Sequence, residues 1–77
     1  MEVTLPLAET AVREIRAEMA RQRRSANALA ADLGVSDMYL SRRLSGRVPF
    51  DLADLERVAT ALRVPVDQLL LIGVAAT

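Results

Sequence analysis

"LAADLGVSDMYLSRRLSG", residues 29–46, is an apolar-patterned stretch broken by one glycine, Gly34, and closed by another, Gly46. A serine, an aspartate and two adjacent arginines lie between the glycines. The pattern reads as two short helices joined by a tight turn. Gly34 supplies the left-handed residue after the first helix, which takes up about residues 26–33 behind the N-cap Ser25. Ser36 caps the second, about residues 36–45, and Gly46 ends it. Steep crossing of two such helices demands a small residue at the point of closest approach, and Ala30 stands four residues before Gly34. Leu29, Leu33, Val35 and Leu40 flank the turn as its apolar anchors.

The same reading extends outward. Thr4 and Pro6 open a first helix of about residues 6–23, with Ala8, Val12, Ile15 and Met19 as its apolar stripe. Arg21, Arg23 and Arg24 end it, either complementing the helix dipole or meeting phosphates. Asp51 caps a fourth helix, with Asp54 completing a capping box and Phe50 stapled to Leu55. Leu52, Leu55, Val58, Ala59 and Leu62 form its inward face. A fifth helix starts at "VPVDQLL", with Pro65 in its first turn and Asp67 near its positive end. The expectation is an all-α, single-domain chain: an arm over residues 1–5, a five-helix bundle over 6–72 and a tail over 73–77.

Composition limits the function classes. The 77 residues contain no cysteine and no histidine. Disulfides, Cys/His zinc sites and Ser-His or Cys-His nucleophiles are therefore excluded. No glycine-rich phosphate loop is present, so the expectation is a non-enzyme without cofactor or metal. The longest apolar run, "LLLIGVAA" over residues 69–76, falls short of the ~18 residues of a membrane span, and no basic-then-apolar leader is evident. A cytoplasmic protein fits these features. Net charge is zero, yet it is segregated. Residues 21–47 hold six arginines against Asp32 and Asp37, a balance of +4, and the remainder carries −4. A local basic face matters more to a polyanion than the total charge does.

Residues 25–70 resemble the phage-repressor-like (Cro/CI, XRE-type) helix-turn-helix family. "SANALAADLGVSDMYLSRRLSG" carries the resemblance, and "DLADLERVATALRVPVDQLL" resembles the last two helices of that five-helix, lambda-repressor-like bundle. The resemblance implies a double-stranded DNA-binding regulator, a dimeric repressor whose third helix enters the major groove. By position, Ser36, Asp37, Met38, Ser41 and Arg42 then face base edges. Arg42 can grip guanine O6 and N7, and Met38 either touches a thymine methyl or packs. Asp37 accepts from cytosine N4 or complements the helix N-terminus. Arg24, Ser25, Asn27, Arg43 and Arg47 are the candidate phosphate contacts, with Tyr39 half-buried and its hydroxyl reaching the backbone.

Two departures from the family stand out. Ala26 stands where the family often has a glutamine that contacts phosphate, so that role either passes to Asn27 or Ser25 or is absent. Arg43 occupies a position where the family buries an apolar residue, and Leu44 takes over that burial. Leu71, Ile72 and Val74 exceed what the core needs and either form a candidate homodimer surface or fold back over the first helix. The rival reading is a protein-interaction module on the same scaffold, an antitoxin-like partner binder, which zero net charge and Asp37 favour.

Overall fold

The computed structural model describes residues 6–70. Five helices follow one another: α1 (Pro6–Gln22), α2 (Ala26–Leu33), α3 (Asp37–Leu44), α4 (Leu52–Leu62) and α5 (Val66–Leu70). No strand occurs among the described residues. The start signals act as their chemistry dictates. The Ser25 hydroxyl accepts from the Ala28 N–H at 3.1 Å, and the Ser36 hydroxyl accepts from the Tyr39 N–H at 3.0 Å. Asp51 accepts from the Asp54 N–H at 2.7 Å, and Asp54 in return accepts from the Asp51 N–H at 3.2 Å. This is the reciprocal capping box read from the sequence.

The stop signals share one geometry. Gly34 and Gly46 take positive φ, 73° and 86°, and each lies at the end of a helix. Val35 N–H donates back to the Ala30 carbonyl at 3.1 Å, and Arg47 N–H to the Arg42 carbonyl at 3.0 Å. Arg23 and Arg63 do the same with φ of 55° and 63°. There the next N–H groups, of Arg24 and Val64, donate to Met19 and Ala59 at 2.8 and 3.0 Å. All four ends satisfy orphan carbonyls by one left-handed residue. The two arginine ends have no glycine to announce them.

One core joins the helices. Ile15, Leu29, Leu40, Val58, Leu62 and Leu69 are its largest fully buried side chains, at least one from each helix. Full burial of such a side chain stabilises by about 1.5–3 kcal/mol. Ala30 is 1% exposed, within the same buried cluster as Leu29 and Leu40, where a larger side chain would not fit without a shift. Phe50 packs against the cluster that contains Leu55.

Two faces differ from the sequence reading. On α1 the buried stripe is Ala11, Ile15, Glu18 and Met19, whereas Ala8 is exposed and Val12 only half-buried. The helix is rotated so that Ala8 and Val12 border a groove against Ser45, Gly46, Val48 and Pro49. On α4, Leu52 is 76% exposed, and the place one turn before Val58 is filled by Asp54, 3% exposed. Polar pins accompany the apolar contacts. Gln22 donates to the Leu62 carbonyl at 2.6 Å and to Glu18 at 2.8 Å. Hydrogen bonds from Arg21 and Gln22 hold the Glu18 carboxyl below the usual carboxylate range. No helix among the described residues is long and apolar enough to cross a membrane.

Candidate nucleic-acid interface

Helix α3 is amphipathic around two buried residues, Leu40 and Leu44. Spacing then sets its outward face: Asp37, Met38, Ser41, Arg42 and Ser45 follow at successive intervals of one, three, one and three, and all are exposed. Four of the five base-facing residues expected from sequence therefore lie together on one surface. Met38 is 61% exposed, and an Arg42 N–H lies 3.1 Å from its sulfur. The thioether thus steadies the Arg42 side chain on the exposed face. Ser36, the fifth, is exposed but engaged as N-cap. Eight residues rise about 12 Å along the helix axis.

The loop after α3 is tied to it. The Arg47 and Val48 N–H groups both donate to the Arg42 carbonyl, at 3.0 and 3.2 Å. Arg47 is exposed there, beside the end of the outward face. From α1, Arg16 donates through Nε (3.2 Å) and a terminal nitrogen (2.8 Å) to the Leu44 carbonyl, closing the last turn of α3.

The other flank of α3 is committed inward. The Tyr39 hydroxyl donates to Asp54 Oδ1 at 2.7 Å, and Arg43 Nε donates to Asp54 Oδ2 at 3.1 Å. The Arg43 guanidinium lies 3.6 Å from the centroid of the Tyr39 ring. Its side chain is 16% exposed and that of Asp54 3%. Arg57 adds a further bond to Asp54 at 2.9 Å. Burial pushes the Asp54 carboxyl up, but the bonds from Tyr39, the Asp51 N–H, Arg57 and Arg43 outweigh it and lower it to about 2. Its carboxylate neighbour pushes the Tyr39 phenol above its ordinary value. Tyr39 is half-buried as expected, but its hydroxyl meets Asp54 and not an outside phosphate. Arg43 is likewise drawn from the outer surface, and Leu44 is buried beside it as the sequence implied.

Similar pairing redistributes the basic residues elsewhere. Arg24 is ion-paired with Asp32 and donates to the Ala61 carbonyl at 3.3 Å. Ser25 is spent as the cap of α2, and Asn27 is exposed in its first turn. Among the described residues, Arg13, Arg16, Arg23, Arg42, Arg47 and Arg63 are exposed and make no ion pair, and of these Arg42 and Arg47 lie on α3 and in the loop that follows it. Sequence reasoning missed Arg16, Arg57 and the inward role of Asp54. The available signal was an arginine at an apolar register position, which demands a buried acid nearby. Leu71, Ile72 and Val74 lie outside the described residues.

Two helices at a glycine turn, the second with an exposed polar face, constitute a helix-turn-helix. A family model described as a helix-turn-helix domain matches residues 11–71. The chain belongs to the helix-turn-helix family. The match is of the XRE/Cro-like type and takes in all of α2 to α5. No curated protein and no solved structure matches the chain. A helix-turn-helix domain is a DNA-binding element, and in it α3 of this chain holds the position of the recognition helix. Among the described residues no cluster of acidic side chains is placed to hold a metal ion.

Proposed function

We propose that the chain is a sequence-specific double-stranded DNA-binding transcription regulator that acts as a homodimeric repressor, with neither catalysis nor cofactor. The observation that supports this most strongly is the exposed α3 face of Asp37, Met38, Ser41 and Arg42, continued by Arg47 in the next loop. Base reading falls to Arg42, Met38 and Ser41; Asp37 favours the positive end of α3 and can also accept from cytosine N4. Phosphate contact falls to Arg47, Arg23 and Asn27, the groups whose polar ends stay outside. One helix about 12 Å long reads only a few base pairs, so a second copy on a second half-site completes the recognition. Leu71, Ile72 and Val74 are the proposed dimer contacts. The bound dimer would occlude polymerase in the cytoplasm.

Selection of the purified chain against a random duplex pool tests this reading. Enrichment of an inverted repeat is the expected result. Binding should weaken with salt, with a log–log slope of about −0.9 per phosphate contact, hence steeper than about −1.8 for a dimer presenting Arg47 twice. No enrichment and no binding at low salt would overturn the DNA reading in favour of a protein-partner module. Sedimentation of the full chain and of a form lacking residues 71–77 tests the dimer: the first is expected to be dimeric and the second monomeric.

A further inference from the structure

We propose that Asp54 is a positioning residue for DNA reading: through Tyr39 and Arg43 it sets the roll of α3 about its own axis. The inference rests on the proposed DNA-binding role. Leu40 and Leu44 attach α3 to the core, but apolar contacts are non-directional and tolerate a rolling helix. The Arg16 bond acts on a carbonyl at the end of α3 and fixes where the helix stops more than how it is rolled. Hydrogen bonds to side chains on one flank are directional. Tyr39 and Arg43, one turn apart and stacked, bind the two oxygens of a single carboxylate. That carboxylate is itself held in α4 by the Asp51 N–H and Arg57.

Small rotations have large consequences for reading. A roll of about 20° moves a side-chain tip at a radius of about 6 Å by about 2 Å. A recognition site tolerates about 0.5 Å. The arginine at position 43, where the resemblance implies an apolar side chain, therefore acts as the lever by which α4 aims Met38 and Arg42.

The test uses the full chain as wild type, Arg43→Met, Tyr39→Phe, Asp54→Asn and the Arg43→Met/Asp54→Asn double variant. Affinity is measured at several salt concentrations for the selected duplex and for a scrambled duplex of the same length. Arg43→Met is expected to lower the ratio of selected to scrambled affinity at least tenfold, with scrambled-duplex affinity and salt slope unchanged. The double variant should lose no more than the worse single, because both break one unit. Tyr39→Phe keeps the ring and removes one bond, so it carries the decision if Asp54→Asn does not fold; a reduced ratio is again expected. Loss of affinity for both duplexes with a slope flatter by about 0.9 would make Arg43 a phosphate contact and overturn the proposal. An unchanged ratio with only a lower urea midpoint would overturn it as well, leaving a purely structural bond. Failure of the DNA-binding reading shows separately, as absence of binding by the wild type.

Discussion

Arg42 and Arg47 carry the same charge from neighbouring places, one on the outward face of α3 and one in the loop hydrogen-bonded to it. A purely electrostatic surface would treat their loss alike. Arg42→Ala should cost about 1–3 kcal/mol on the selected site and relax preference at one base pair. Arg47→Ala should weaken all sequences by similar factors and flatten the salt slope by about 0.9. Titration of single-base variants of the site separates the two, and uniform loss from Arg42→Ala would reassign it to phosphate. Asp54 gives a second prediction. Its carboxyl lies at about 2 when folded, below the 3.8 of the free group. The stabilisation it brings is therefore complete above pH ~4 and is lost as pH falls through ~2; it is on the order of 2 kcal/mol at most. Urea unfolding between pH 7 and 2.5 should show this drop, shared in part with Glu18. Asp54→Asn should flatten it, and an unchanged pH profile in that variant would remove Asp54 as its source.

Helix ends rather than helix interiors distinguish this bundle. Gly34 has φ of +73° with nothing within 4 Å of where a Cβ would stand. Gly34→Ala therefore meets no clash, and its cost is the left-handed backbone alone, about 1–2 kcal/mol. Arg63 holds the same conformation at φ 63°, and its exposed side chain makes no ion pair with the described residues. Arg63→Gly should stabilise by about 0.5–1 kcal/mol after the added unfolded-state entropy is subtracted. Urea midpoints of the two variants should move in opposite directions. A shared direction would mean that side-chain contacts, not backbone conformation, dominate these ends. Gly34 and Gly46 were legible because glycine advertises a left-handed residue. Arg23 and Arg63 were not, since the helix-ending hydrogen bonds form around whatever residue stands there.

The core ties the α3 face to the rest of the molecule through Leu40, 1% exposed. Leu40→Ala should cost about 2–5 kcal/mol, a large share of the roughly 4–12 kcal/mol available to a domain of this length. Loss of the helical circular-dichroism signal at moderate urea, together with loss of DNA binding, is the expected result. Met38→Ala, at an exposed site, should leave stability within about 0.5 kcal/mol and alter only binding. Five helices, three N-caps, the glycine turn and the outward face of α3 were all legible in the chain, because each depends on residues within about four positions of one another. Which arginines are engaged inside the molecule was not. Arg43 finds Asp54 eleven residues on, Arg24 meets the Ala61 carbonyl 37 residues on, and Arg16 reaches Leu44 across 28. The burial of Asp54 in place of Leu52, and of Ala11 in place of Ala8, was settled in the same way. Periodicity gives a helix an apolar side, but the neighbouring helices choose its rotation. They also decide which charges are neutralised, because ion pairing depends on distances between helices that no local pattern encodes.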